Sequence, residues 1–536
     1  MPVYSDEIVW RFHERAAIDG GFDVWLNDIC GPATIARAPW FMLPARWFSA
    51  TVNLALPSPL YVRLEGIACA LLWIALFLEL SRRIYPVAQV RHHSRTLMFS
   101  LLGLGVLPLL MVLSRPEQPI LLAVTAMIVV ALPLSETKVQ SSGDAAWLRS
   151  WAILILATVA LSYHVKGVAY APVAGACILV CARGRQTVAA RTFGLLALGA
   201  LTSVATIYWS ARFSCPDDLI LRERLSQQNV AVLLSAKEKI VPLLPSMVRN
   251  AFPWSYLSQT IPSPEPLSQW LPTHIFSATS SRVYSRAIRL SWYLATLIGG
   301  IGLFQHLRKW GWKALSEPRA CIAVMIMAVL MVWGLSQPGK NMYESALALP
   351  MFAIAILLSH SLAPPHVHYH RAVGGLATLT LAVSLVSQVM VIVTLSPPHW
   401  AAALRGGSVR GQPLSIAAFG YSKVRRDIIQ AARAAGMTET RLFRPVVDDL
   451  TYMSLQRSYL PIHRLGLFGW WSGTVESDPI GYLLSRKSSG LIVGCEGLPE
   501  KMRGVSHRAG EICAISRTAL DRLNEAKKEG RIFKLE

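Results

Sequence analysis

From about residue 66 onward the apolar residues gather into runs too long and too unbroken to be one face of a soluble helix. Ten such runs can be marked, at 66–81, 97–113, 118–134, 149–163, 168–182, 192–210, 287–305, 320–336, 345–361 and 373–395. A helix rises 1.5 Å per residue, so about 20 apolar residues cross the ~30 Å hydrocarbon layer of a bilayer. Several runs are shorter than that, which predicts tilted or half-length helices. Residues 1–64 hold no such run. Positions 7–17 are patterned as a short amphipathic helix stopped by Gly20 and Gly21, and Trp40, Phe41, Met42, Trp47 and Phe48 form a cluster suited to a membrane–water interface. After Pro397 and Pro398 the period changes. Strand-like stretches (414–419, 441–447, 490–495, 511–516) alternate with helical ones (423–435, 449–457, 517–529), the pattern of a small α/β domain. No GxGxxG or P-loop motif occurs there, and no internal repeat is evident. The expected architecture is an α-helical multi-pass membrane protein of about ten transmembrane helices with a small α/β C-terminal domain. It divides into residues 1–64, a transmembrane part at 65–395 with a long loop at 211–286, and a soluble part at 396–536.

Composition agrees: 53% of residues are hydrophobic and 15% charged, with a mean hydropathy of +0.41. The net charge of +21 is spread over loops and tail without a basic-aromatic recognition motif, so orientation and lipid contact account for it and nucleic acid does not. Alternate loops differ sharply. One set carries Arg82, Arg83, Arg91 and Arg95, then Lys138 and Arg149, then Arg183, Arg185 and Arg191, then Arg308, Lys309, Lys313 and Arg319, then Arg371. By the positive-inside rule these are cytoplasmic. The opposite short loops carry one cation each, Arg115, Lys166 and Lys340, and are expected outside together with residues 1–64, 211–286 and the tail. An outward polar segment ahead of the first run calls for a further helix encoded upstream of Met1 to carry it across.

The eight cysteines show no zinc-like CxxC or Cys/His spacing, and no metal site is expected. Cys69, Cys177, Cys181 and Cys321 fall in or beside apolar runs as packing residues. Cys30, Cys215, Cys495 and Cys513 fall in segments assigned outside, where disulfides form. The expected pairs are Cys495 with Cys513 and Cys30 with Cys215.

The outer short loops are otherwise stripped of charge, and the exceptions sit beside spans, where a buried charge costs ~2.5–3.5 kcal/mol on insertion scales. Three charged groups there, Arg115 with Glu117, His164 with Lys166, and Lys340 with Asn341, therefore suggest an anionic ligand at the outer face. The acidic pair Asp6 and Glu7 is placed on the same side. In their order and sidedness these residues resemble the GT-C membrane glycosyltransferases, a family of polyprenyl-phosphate-sugar-dependent enzymes that includes protein mannosyltransferases and aminoarabinose transferases. The likeness runs through Tyr4-Ser5-Asp6-Glu7, Arg115-Pro116-Glu117, His164-Val165-Lys166-Gly167 with Pro172, and Lys340-Asn341-Met342-Tyr343 with Pro350. It covers roughly residues 1–395; Val165 stands where the family pattern has proline, and the helix that precedes the acidic pair in the family is missing from this chain.

The resemblance implies a sugar moved from a polyprenyl-phosphate carrier to a lipid, glycan or protein acceptor on the outer face of a bacterial inner membrane. Such a reaction needs a base for the acceptor hydroxyl and cations for the departing phosphate. Asp6 is the first choice for the base and Glu7 the second. Lys166 and Arg115 would hold the phosphate with help from Lys340, while Glu117, His164, Asn341 and Tyr343 would position the sugar or orient the cations. No cofactor is expected, and a divalent ion is not indicated. An alternative for Arg115 is a pair with Glu117 that braces a turn. Rival classes are a transporter or flippase for a lipid-linked or anionic solute, a polysaccharide ligase or polymerase, and a scaffold displaying the tail. Elsewhere, Asp448 and Asp449 read as the opening of a helix, Glu79 as a partner of Arg82 and Arg83, and His360, His366, His368 and His370 as a cytoplasmic-side cluster away from the site.

Overall fold

A computed structural model describes residues 7, 11, 43–55, 61–132, 143–182, 186–214, 278–336, 344–363, 367–404, 421–437, 445–448, 451, 452, 454, 463–465, 479–485, 488–498 and 500–529. The chain is an integral membrane protein built of helices. Five described helical stretches are long and apolar enough to cross a bilayer: Leu64–Ile84, Ala145–Tyr163, Gln186–Ala205, Arg282–Ser316 and Tyr369–Ile392.

The helices are α1 (Leu43–Ala55), α2 (Leu64–Ile84), α3 (Ala88–Leu102), α4 (Leu107–Met111), α5 (Glu117–Ala131), α6 (Gly143–Tyr163), α7 (Ala171–Cys181), α8 (Gln186–Ser214), α9 (Ala278–Trp310), α10 (Pro318–Ser336), α11 (Ser345–His360) and α12 (Val367–Leu404). Where they are described, the apolar runs are helical: 97–113 falls on the broken pair α3 and α4, and 168–182 on α7 and the 3₁₀ turn before it. Helices are the expected result, because a backbone in hydrocarbon must satisfy its own polar groups. Short 3₁₀ turns at Val165–Tyr170 and Gly311–Ser316 lead into α7 and α10.

Helix α11 is buried along its whole length and forms the axis of the bundle, with α9, α10, α5 and α3 around it. Trp292 of α9 stacks on Phe352 of α11 at 5.9 Å. Outward-facing Leu71, Leu72, Leu198, Leu201, Leu385 and Val389 are exposed, as lipid-facing residues are.

The run 97–113 is not one helix. It breaks between α3 and α4, and α12 closes the gap: Ser387 Oγ accepts from the Gly105 amide at 2.7 Å, while Gln388 Nε2 donates to the carbonyls of Gly103 and Gly105. Tyr284 also contacts Ser387. A backbone break at membrane depth is tolerated only where protein groups re-satisfy it, and these side chains do so.

Toward the C-terminus lie α13 (Tyr421–Ala434), β1 (Val446–Asp448), β2 (His463–Leu465), α14 (Pro479–Ser485), β3 (Gly490–Gly494), α15 (Glu500–Arg503), β4 (His507–Ala509), β5 (Ile512–Ser516) and α16 (Arg517–Lys528). The five strands form one sheet in the order β2-β1-β3-β5-β4. β2, β1 and β3 are parallel neighbours; β5 runs antiparallel to both β3 and β4. The predicted stretches 490–495 and 511–516 fall on β3 and β5, and 423–435 and 517–529 on α13 and α16; 441–447 meets β1 only at Val446 and Val447, and 441–444, like 414–419, lie outside the described residues. Apolar α13 residues such as Ile428 and Ala431 cover one face of the sheet, and Leu483, Leu520 and Leu523 cover the other.

Cys495 and Cys513 form the expected disulfide, with Cα atoms 4.9 Å apart. The register of β3 on β5 already sets Val493 opposite Cys513, which puts Cys495 within bonding range. Cys30 and Cys215 lie outside the described residues. Asp448 is a cap: its Oδ1 accepts from the Thr451 amide at 2.9 Å and its Oδ2 from the Gly494 amide at 2.7 Å.

Candidate functional site

Four helices, α2, α5, α7 with its leading 3₁₀ turn, and α11, start at the same end of the bundle, and the charged residues just before or at those starts meet there. Gly66 fixes the first join. A Cβ at this position would stand 2.3 Å from the Val112 carbonyl oxygen, so only glycine lets the first turn of α2 lie against the loop that leads into α5. The Gly66 amide then donates to Ser114 Oγ at 3.2 Å.

Glu7 is fully buried against this join. It accepts from Arg63 Nε and Nη2, each at 3.3 Å, and from the Ser114 amide at 3.2 Å. Arg11, one helical turn on, is also helical and buried. Glu7 is therefore tied by an ion pair to a residue 56 positions away and by a hydrogen bond to a backbone amide 107 positions away.

The next residue of the same loop opens the second cluster. Arg115 Nε donates to Glu117 Oε2 at 3.1 Å and its Nη2 to Oε1 at 3.3 Å. Lys166 Nζ reaches Glu117 Oε1 at 2.7 Å and stands 3.7 Å from Glu344 Oε1. Side-chain exposures of 6% for Arg115, 1% for Glu117, 13% for Lys166 and 5% for Glu344 show the cluster to be buried. His164 holds Lys166 in register: its backbone is extended, and its Nδ1 accepts from the Lys166 amide at 3.1 Å, capping the 3₁₀ turn. In a neutral ring that acceptor role places the proton on Nε2.

The result is one continuous polar seam, Arg63, Glu7, Ser114, Arg115, Glu117, Lys166 and Glu344, drawn from segments scattered between positions 7 and 344. Among the described residues Glu7, Glu117 and Glu344 face Arg63, Arg115 and Lys166. Glu117 is the first residue of α5 and Glu344 the N-cap of α11, where the partial positive charge of a helix start favours carboxylates. Of the predicted site residues, Glu7, Arg115, Glu117, His164 and Lys166 come together here. Asp6, Lys340, Asn341 and Tyr343 lie outside the described residues, as does any contact they make. Arg63 and Glu344 were not singled out from sequence. Each sits at the edge of a span, where an isolated charge reads as a solvated terminus, and only the three-dimensional join reveals its partner.

The two residues that follow Lys166, Gly167 and Val168, line an apolar cavity of about 70 Å³ together with residues that include Met127, Leu161, Leu195 and Gly199; the seam side chains themselves are not part of its lining. At the opposite end of the bundle, His360 is buried between Tyr85 and Ser94, stacked on Tyr369 and edge-on to His370, far along α11 from Glu344. The side chains of His366 and His368 are outside the described residues. Among the described residues no group of three or more His, Cys, Asp or Glu side chains is arranged to hold a metal ion. No family model, curated protein or solved structure matches this chain.

Proposed function

We propose that the chain is a membrane glycosyltransferase of the GT-C kind, moving a sugar from a polyprenyl-phosphate carrier to an acceptor at the outer membrane face. The observation that carries the reading is the position of Lys166. Its ammonium lies in a buried, charged seam while its chain neighbours Gly167 and Val168 line an apolar cavity. A lipid phosphate needs that combination: fixed positive charge for the head and an apolar lining for the start of the chain. Four converging helix starts add partial positive charge of about half a unit each.

In this reading ten helical passes carry the chain through the membrane, and the α/β tail is a domain on the outer side. The Cys495–Cys513 disulfide supports that side, since such bonds persist in oxidising compartments. Asp6 is the base, because Glu7 commits its carboxylate to Arg63 and the Ser114 amide. Glu7, next to Asp6 in the chain, is then an anchor held by Arg63 and Ser114. Arg115 braces Glu117, and Lys166 and Lys340 face the phosphate.

A second reading, a transporter for a lipid-linked or anionic solute, draws support from the helix break between Gly103 and Leu107, since broken helices at mid-depth build transporter sites. Gln388 and Ser387 already occupy the polar groups of that break, which weighs against it. The deciding experiment is a sugar-transfer assay with the purified protein in lipid vesicles, using a polyprenyl-phosphate sugar as donor and a crude envelope fraction as acceptor. Release of polyprenyl phosphate that is lost in Asp6→Asn and Lys166→Met supports the enzyme. Movement of the intact donor across the vesicle wall without release supports the transporter.

A further inference from the structure

At the end of α9 six consecutive residues, Arg308 to Lys313, are exposed. They comprise three cations, two indoles and a glycine. Trp310 is 53% and Trp312 89% exposed, an arrangement that in water would leave two large apolar rings uncovered.

The length of α9 places them. Its apolar run, 287–305, spans roughly 28 Å at 1.5 Å per residue, close to the ~30 Å hydrocarbon thickness. Trp310 lies five residues beyond, about 7 Å further, which is the depth of the lipid headgroups. Indoles prefer that layer because the ring packs on the acyl boundary while the N–H meets phosphate or carbonyl oxygen. Gly311, with φ of +55°, turns the chain back toward α10 through a conformation that other residues adopt only with strain, and it sets the two indoles on either side of the turn.

The charge is not neutralised from within. The nearest acid along the chain, Glu317, bonds Arg319 at 2.6 Å, and Arg319 also donates to the Ser361 carbonyl at 3.2 Å. Among the described residues no carboxylate pairs with Arg308, Lys309 or Lys313. Lys309 instead lies over the Trp310 ring, 5.2 Å from its centre, so cation and indole present a joint surface.

We infer that the surface Arg308–Lys313 binds the headgroup of an anionic phospholipid, with Trp310 and Trp312 as its apolar clamp and Arg308, Lys309 and Lys313 as its charge. Each cation near an anionic membrane surface favours it about fivefold, so three give a preference of about a hundredfold over a zwitterionic lipid. The inference holds for either leaflet and does not rest on sugar transfer.

The full-length protein in lipid nanodiscs provides the test. Subtracting the emission of a Trp310→Phe/Trp312→Phe variant from that of the wild type isolates these two indoles. Brominated phosphatidylglycerol should quench this difference at a much lower mole fraction than brominated phosphatidylcholine. Lys309→Gln with Lys313→Gln should cut the preference about 25-fold, and added salt should weaken it in the wild type by screening, a check independent of how the variants fold. Equal quenching by the two lipids, or a preference indifferent to both salt and the lysines, overturns the inference. Full competition by inorganic phosphate would mean a soluble anion is the ligand and overturns the lipid assignment.

Discussion

Glu117→Gln tests the seam at its most connected point. Glu117 lies 3.1 Å from Arg115 and 2.7 Å from Lys166, with 1% of its side chain exposed. At an effective dielectric constant of about 20, those separations correspond to attractions of roughly 5 and 6 kcal/mol. Against them stands a desolvation cost of several kcal/mol for each buried ion. With the carboxylate removed, both cations keep their desolvation and lose their largest compensation, so the expected loss of stability is ~3–5 kcal/mol. Lys166→Met should cost less, because Arg115 still holds Glu117. Combining Lys166→Met with Glu117→Gln should cost less than the sum of the two, since removing both members leaves less stranded charge. The assay is reversible unfolding of the lipid-embedded protein, or loss of the monodisperse peak on heating in mild detergent where unfolding is irreversible. A Glu117→Gln protein as stable as the wild type, or strictly additive effects, would refute the claim that this cluster is buried and mutually compensated.

Glu7→Gln should lower stability and sugar transfer together, whereas Asp6→Asn should abolish transfer at unchanged thermal stability; the reverse pattern in paired melting and activity assays would exchange the anchor and base roles. Gln388→Leu strands the Gly103 and Gly105 carbonyls and should destabilise the bundle by ~1–3 kcal/mol, read as a lower melting temperature; no change would show that the break is held by other means. Cys513→Ser opens a cross-link of 18 residues' separation and should cost ~3 kcal/mol, seen as faster proteolysis of the tail, an effect that a reductant should reproduce in the wild type. An impermeant thiol reagent should tag cysteines placed in the tail or in 211–286 from outside and never one placed in 82–95; the opposite pattern would invert the topology.

The helices were legible because membranes leave the sequence little choice: long apolar runs are enforced by solvation. Their ends were less so. Helix α9 begins nine residues before its apolar run, at Ala278, where the chain has left hydrocarbon and polar residues continue the helix unmarked. The break after Leu102 left a trace in Gly103-Leu104-Gly105 followed by Pro108, but hydropathy averaging passes over such a trace. Strands β2 and β4, of three residues each, are too short for alternation to register. In the site, Arg115 with Glu117 could be foreseen from their spacing, and Lys166 from its isolation in a short loop. Arg63 and Glu344 could not be foreseen, since the partner of Arg63 is 56 positions away and no periodicity links them.

The seam also constrains how an anion would be held. Among the described residues Arg63, Arg115 and Lys166 are each already paired with a carboxylate, so a phosphate gains nothing from them unless one pairing yields. Arg63 and Arg115 are each gripped through two nitrogens by one carboxylate, a fork geometry that resists exchange. Lys166 is different: a single ammonium, 2.7 Å from Glu117 and 3.7 Å from Glu344, with rotatable donors on a flexible stem. The Glu344 contact is the longest of the seam and the first to give. On the sugar-transfer proposal, Lys166 swings toward the carrier phosphate by letting go of Glu344, while Glu117 stays compensated by Arg115. The bidentate arginines serve as the frame, and the lysine between two acids is the part free to change partner.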